Sequence, residues 1–436
     1  MTLPLRIALA GLGTVGAGVI RLLEANGDLI AARAGRPLQV VAVCARDRSK
    51  DRGIDLSPYA WEDDMTALAA RDDVDAVVEL VGGSDGPALA LARKALAGGK
   101  QLVTANKAMV AHHGMELAAL AEEKGVALKY EAAVAGGIPV IKGLGEGAAA
   151  NRIERIYGIL NGTCNYILSQ MESTGADFGD VLKEAQELGY AEADPTFDIE
   201  GVDAAHKLSI LAALAFGTAL DFGAVDMSGI SRITAADIAQ ADALGHVIRL
   251  VGMADLHNED GEQRLFQRVQ PVLVAKDHPL AAVDGPTNAV VAEGNFVGRL
   301  LFVGRGAGDG PTASAVVADL IDIARGNATA PFSLPVSALK AAAPADSGQR
   351  VNRAYIRFNV ADRPGVLAEI SAAMRDAGVS IESLIQQGHP DDGSDDPVLV
   401  AMVTHDGPES AIASALDLLD GSPSLSEPPL VMRLLG

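Results

Sequence analysis

Apolar positions along the chain fall into three successive patterns. From residue 5 to about residue 130, short apolar runs at 6–10, 39–44, 76–81, 101–104 and 127–130 read as strands. Segments 17–25, 87–97 and 114–124 between them carry helical spacing. The result is an alternating β/α series, as expected of a parallel sheet flanked by helices.

The pattern changes at Glu131-Ala132-Ala133-Val134-Ala135-Gly136-Gly137-Ile138-Pro139, whose glycines let backbone approach a ligand or another strand closely. A partly alternating run, 153–160, reads as a strand entering a helix N-terminus at Asn161-Gly162-Thr163-Cys164-Asn165-Tyr166. A helix ends over 183–188, stopped by Gly189, and the Ala- and Leu-rich segment 208–216 is another. Runs 264–274, 289–291 and 298–303 read as strands of a mixed sheet. The turn from Gly304 to Thr312 then opens a long helix, 313–325. Gly308 and its neighbours in that turn either close over a cofactor or simply make the bend.

After a Pro-containing linker of small residues, 341–349, the pattern becomes strand 355–360, helix 368–377, strands 379–386 and 397–404, helix 409–419 and strand 430–435. This βαββαβ order is the ferredoxin-like signature. The expected division is residues 1–135, then 136–335 with the helix at 310–335 returning to the first domain, a linker 336–352, and 353–436.

A length of 436 residues accommodates two or three such domains. With 49% hydrophobic and 21% charged residues, the composition is that of a globular protein. A net charge of -22 argues against nucleic acid and anionic membranes as partners. Two cysteines, Cys44 and Cys164, make neither a disulfide framework nor a metal-ligand spacing, which points to a reducing compartment. Neither a secretory pattern nor a bilayer-length apolar run is evident, so a cytoplasmic location is expected.

The first strand runs straight into Gly11-Leu12-Gly13-Thr14-Val15-Gly16. In strand–turn–helix context, Gly11 allows the tight turn, Gly13 the close approach of a pyrophosphate, and Gly16 helix–strand packing. At the tip of the second strand, Arg46, Arg48 and Lys50 favour NADP, while Asp47 keeps NAD open. Ligands of open parallel sheets bind at the carboxyl ends of strands, which places Thr104 and Lys107 within reach of cofactor or substrate. His112 and His113, early in the next helix, read as surface residues.

Asp203 and Lys207 stand four apart at the head of a helix, so a carboxylate and an ammonium project together from one turn. An exposed pair of this kind contributes little. Here two more acids, Glu192 and Asp198, lie just upstream, and such a cluster can hold a small polar substrate and move a proton.

The segment from Ala185 to Lys207 fits A-x3-G-Y-x-E-x-D-P-x2-D-I-x-G-x-D-x3-K, and with it the chain resembles homoserine dehydrogenase. Gly11–Gly16, Thr104–Lys107, Glu131–Pro139, Asn161–Tyr166 and Gly304–Thr312 match segments of that family in order. The resemblance covers residues 1 to about 335. Asp362-Arg363-Pro364-Gly365-Val366-Leu367 makes the remainder similar to an ACT domain. The fold class is therefore α/β: a Rossmann domain, a mixed-sheet α+β catalytic domain and a ferredoxin-like ACT domain.

The resemblance implies NAD(P)-dependent interconversion of L-homoserine and L-aspartate 4-semialdehyde. It implies Lys207 as proton donor oriented by Asp203, Lys107 as a second positive charge touching cofactor and substrate, and Glu192 and Asp198 at the substrate ammonium. The cofactor set is Gly11, Leu12, Gly13, Thr14, Val15, Gly16, Arg46, Thr104, Lys107 and Gly308. Backbone carbonyls of Glu131, Val134, Gly136 and Ile138 are implied as sodium ligands. Threonine is the expected effector of the ACT-like module, with pure dimerisation as the alternative for that module, and a homodimer or homotetramer is the expected assembly. No aspartokinase segment precedes residue 1, which reads as monofunctional. Two other readings stand beside this one, a non-catalytic amino-acid sensor and a different Rossmann amino-acid dehydrogenase.

Overall fold

The computed structural model describes residues 3–259, 261–387 and 397–436. Its N-terminal sheet is built from β1 (Leu5–Ala10), β2 (Leu38–Cys44), β3 (Ala60–Trp61), β4 (Ala76–Glu79), β5 (Gln101–Thr104) and β6 (Leu128–Lys129), all paired in parallel in the order β3-β2-β1-β4-β5-β6. This is the doubly wound order, with its switch point between β1 and β4. Helices α1 (Thr14–Ala34), α2 (Pro87–Ala97) and α3 (Lys107–Lys124) cover it. α1 begins earlier and runs longer than its apolar spacing predicts, with a non-helical residue at Asn26.

The strand β7 (Ile153–Ile159) opens a second sheet. It is followed by α4 (Gly162–Thr174), α5 (Phe178–Glu187), α6 (Val202–Phe216) and α7 (Ala235–Ala243). Two long strands come next, β8 (His246–Glu259) and β9 (Glu262–Ala275), then β10 (Thr287–Gly294) and β11 (Gly298–Arg305). β8 is absent from the sequence reading. Ile248, Leu250, Val251 and Ala254 are all buried, so this strand is covered on both faces and shows no period-two alternation.

The helix α8 (Asp309–Ala324) returns to the first domain and packs along α1, where a Cβ at Gly18 would stand 3.0 Å from the Asp309 carbonyl oxygen.

The C-terminal unit comprises β12 (Ala354–Val360), α9 (Val366–Asp376), β13 (Ile381–Gln387), β14 (Val398–Thr404), α10 (Glu409–Asp417) and β15 (Leu430–Leu434). Its strands take the order β15-β12-β14-β13. β15 also pairs in parallel with β9, through Val272–Arg433 and Leu273–Leu434, so the two sheets join edge to edge as β11-β10-β7-β8-β9-β15-β12-β14-β13. Buried charges lock the seam. Arg268 on β9 donates to both carboxylate oxygens of Glu409 at 2.8 and 3.0 Å, and the Tyr355 hydroxyl donates to Asp237 at 2.9 Å beside the Arg357 guanidinium. The fold class is the one expected. Among the described residues, no helix is long and apolar enough to cross a membrane.

Candidate active site

The glycine-rich turn performs three separate steric tasks. Gly11 takes φ +97°, and a Cβ there would stand 2.6 Å from the Leu80 carbonyl oxygen. At Gly16 a Cβ would lie 2.1 Å from the Gly11 carbonyl oxygen. Gly13 has nothing within 4 Å of that position, so its backbone is open to close approach at the N-terminus of α1. These residues fit a dinucleotide pyrophosphate.

The turn is braced from the adjoining loop. Arg52 donates to the carbonyl of Leu12 at 3.0 Å and of Lys50 at 2.6 Å. Arg46 and Arg48 are exposed on the same loop. Asp47 is engaged locally, accepting from the Ser49 amide at 2.8 Å and hydroxyl at 2.7 Å.

A cavity of about 550 Å³ lies between this turn and the second domain, with Val15, Lys107, Asn161, Asp203, Lys207 and Gly308 among its walls. α6 delivers the central pair. Gly201, at φ +84°, ends the preceding turn in the left-handed conformation and lets the helix start against Val269. Asp203 is 3% exposed and Lys207 8%. The Lys207 ammonium donates to Asp203 Oδ2 at 2.8 Å and to the Leu160 carbonyl at 2.7 Å. Lys107, the first residue of α3, reaches across from the Rossmann domain to Asp203 Oδ1 at 2.8 Å.

Burial alone would push the Asp203 carboxyl up, but the ammoniums of Lys207 and Lys107 outweigh it and hold the group far below the usual range. Burial likewise opposes the charge on Lys107, and Asp203 overcomes it, so that pKa is raised.

Asn161 completes the cluster. Its Oδ1 caps α4 by accepting from the Cys164 amide at 2.7 Å, while its Nδ2 donates to Asp203 Oδ2 at 2.7 Å and Asp198 Oδ1 at 2.8 Å. Thr163 donates to Asp198 Oδ2 at 3.2 Å. Burial and the Asp203 charge raise the Asp198 pKa. Glu192 is exposed on the loop before Asp198 and does not line the cavity.

At the carboxyl end of β4, the fully buried Glu79 accepts from the amides of Val81 and Gly82 at 2.7 and 3.0 Å and from the Thr104 hydroxyl at 2.6 Å. The Thr104 hydroxyl is thus turned inward, and its strand end serves the site as scaffold. Gly308, at φ +126°, precedes α8, and the loop ahead of it packs on the 131–138 turn, with the Gly137 amide donating to the Arg305 carbonyl at 3.1 Å.

In that turn Ala135 and Gly136 both have positive φ, and Glu131, Val134, Gly136 and Ile138 are buried. The Glu131 carbonyl accepts from Val134 at 3.4 Å and that of Ile138 from Val140 at 2.8 Å. Among the described residues, no group of three or more His, Cys, Asp or Glu side chains is arranged to hold a metal. His112 is exposed and meets His206 at 3.2 Å, and His113 lies 2.9 Å from Asp85.

Sequence reasoning did not single out Asn161, the Leu160 carbonyl or Glu79 as site groups. The Asn–Gly–Thr cap signal marks the first. The other two become visible only once the strands are side by side. A larger cavity, about 750 Å³, opens near Phe216, His257 and Leu334. Its walls include neither the glycine turn nor Lys107 and Lys207, which the smaller cavity brings together with Val15 and Gly308.

Family models match all three parts of the chain: homoserine dehydrogenase, NAD binding domain, over residues 11–131, homoserine dehydrogenase over 139–321 and ACT domain over 354–419. Homoserine dehydrogenase of Pseudomonas aeruginosa is 44% identical over 437 residues, covering 99% of each chain. That of Mycobacterium tuberculosis H37Rv is 43% identical over 99% of this chain and 98% of its own. The crystal structure of a homoserine dehydrogenase from Thiobacillus denitrificans superposes with a TM-score of 0.91 at 41% identity, covering 99% of this chain and 98% of that one. The Staphylococcus aureus enzyme gives 0.75 at 33%, covering 99% of both. With a glycine turn for a dinucleotide facing two lysines on one buried carboxylate, and full-length likeness to these relatives and crystal structures, the chain belongs to the homoserine dehydrogenase family, oxidoreductases acting on a CH–OH group.

Proposed function

We propose that Lys207 is the group that gives a proton to the aldehyde oxygen of aspartate semialdehyde during reduction and takes it from the homoserine hydroxyl during oxidation. The observation that carries this is the bonding of its ammonium: two N–H bonds are directed at Leu160 and Asp203, leaving the third for a substrate oxygen in the cavity. When bound, the nicotinamide supplies or accepts the hydride. Asp203 orients Lys207 and balances one of the two ammonium charges, so that with Lys107 a net positive charge remains where the oxygen becomes negative.

Asp198, and Glu192 from its exposed loop, supply negative charge for the substrate ammonium. Glu192→Gln then raises KM for homoserine and leaves KM for the cofactor alone; the opposite split removes Glu192 from this role. In domain terms the reading assigns residues 1–135 with α8 to the cofactor, the remainder to 335 to the substrate, and 353–436 to regulation.

NADP is the preferred cofactor in this reading. Arg46 and Arg48 are exposed on the loop that follows β2, and Asp47 is occupied by Ser49. A hyperthermophilic archaeal homoserine dehydrogenase at 25% identity and TM-score 0.61 is in complex with NADPH. A sodium ion is assigned to the 131–138 turn, where Val134 and Gly136 are buried and Ala135 and Gly136 take positive φ. Rate measured in sodium against potassium chloride at fixed ionic strength tests it.

Threonine is assigned to the ACT unit, whose sheet continues that of the catalytic domain. Phe296 is 90% exposed, and with Leu301 and Val303 on the edge strand β11 it offers an apolar surface to a second copy, in keeping with a homodimer or homotetramer. Two buried, unpaired cysteines support a cytoplasmic setting. Homoserine oxidation with NAD and NADP in parallel, with and without threonine, tests the whole: turnover favouring NADP and reduced by threonine is expected, and NAD preference or indifference to threonine contradicts the respective part.

A further inference from the structure

One polar side chain in the cavity wall is used by none of these roles. Asn288, the second residue of β10, is 1% exposed and lines the cavity. Its amide nitrogen Nδ2 is buried without a hydrogen-bond partner among the described residues. A buried amide that forgoes its bonds to water and gains none in return is costly, so its retention calls for a reason.

The surroundings are shaped to keep this amide in place. Gly306 lies against it, and a Cβ there would fall 1.6 Å from Asn288 Oδ1, so only glycine leaves room. Gly306 in turn backs onto Gly136, where a Cβ would stand 2.3 Å from the Gly306 carbonyl oxygen. On its other side, β10 pairs antiparallel with β7 through Ala289 and Ile159. Continuing that register by one residue sets Asn288 across from Leu160, whose carbonyl holds the Lys207 ammonium. The unpaired donor therefore belongs to the wall shared by the 304–308 loop and the lysine cluster.

We propose that Asn288 is a ligand-binding residue whose amide N–H donates to a carbonyl-type oxygen held in the cavity. Two sources present that chemistry at this wall, the carboxamide of the nicotinamide and the substrate itself. The assignment does not depend on which group moves the proton.

The test uses the full-length variants Asn288→Ala and Asn288→Leu, the second filling the space above Gly306 without a donor. NADPH binding is read alone from its fluorescence, and homoserine oxidation gives KM and kcat. Loss of the bond raises the Kd for NADPH or the KM for homoserine about tenfold or more in both variants. The melting temperature without ligand holds in Asn288→Leu, because no bond within the protein has been removed. A raised Kd for NADPH identifies the carboxamide as the acceptor, and a rise confined to the KM for homoserine identifies the substrate. Wild-type values of both constants in Asn288→Leu overturn the proposal, as does a weakening in Asn288→Ala that Asn288→Leu restores.

Discussion

Lys107 and Lys207 hold opposite oxygens of the Asp203 carboxylate, each at 2.8 Å. One lysine starts a helix of the Rossmann domain and the other sits on the first turns of α6, so the carboxylate also fastens the two domains across the cavity. Its charge is held by position, because the two ammoniums overcome the penalty of burial.

Asp203→Asn removes that charge and leaves two ammoniums facing a neutral amide. Breaking a buried pair in this way costs about 3 kcal/mol or more. A lower melting temperature and a fall in kcat of about 10² are expected. Since the folded carboxyl is depressed, its contribution is complete above the unfolded value near 3.8 and is lost only as pH falls through the lower folded value. The stability difference between wild type and variant should then be flat from pH 5 to pH 9. A variant that melts and turns over like the wild type contradicts the assigned role.

The two outer tasks of the glycine turn separate from its middle one. Gly16→Ala drives a methyl into the Gly11 carbonyl and is expected to destabilise the fold. Gly13→Ala meets nothing in the protein, so its melting temperature without ligand should match wild type while KM for NADP rises about tenfold. Equal behaviour of the two variants in both measurements would show that the turn is only a packing device.

Glu131 carries a pH signature of the opposite sign to Asp203. Burial and the charge of Asp319 push its carboxyl up to about 7, against the amides of Lys142 and Ile141 and the ammonium of Lys142. The folded chain then holds a proton that an unfolded chain releases near 4.5, so stability falls as pH rises from about 4.5 to about 7. Asp319, raised by burial to about 6, adds a fall of the same sign at lower pH. Melting temperature should drop less between pH 5 and pH 8 in Glu131→Gln than in wild type. Identical drops would place the titration elsewhere.

Much of this was legible in the chain because its signals are local. Six residues state the dinucleotide turn, and a spacing of four states the Asp203–Lys207 pair. The βαββαβ order likewise follows from alternation within each short segment. What escaped depends on partners far apart in sequence. The Leu160 carbonyl reaches Lys207 across 47 positions and Asn161 reaches Asp203 across 42. Neither contact exists until β7 is laid beside α6. The edge-to-edge joining of the two sheets rests on Val272 meeting Arg433. β8 went unseen for a different reason: a strand buried on both faces offers no alternation to read. Glu192 illustrates the converse, a motif residue plain in the sequence whose side chain stands on the cavity's rim loop rather than in its wall.

The central claim, that the Lys207 nitrogen handles the substrate's proton, is tested most directly by single-turnover hydride transfer in Lys207→Ala, with NADPH affinity and melting temperature measured on the same sample. A rate reduced by at least about 10², with cofactor affinity retained, is the predicted result. A folded variant that transfers hydride at nearly the wild-type rate would contradict it.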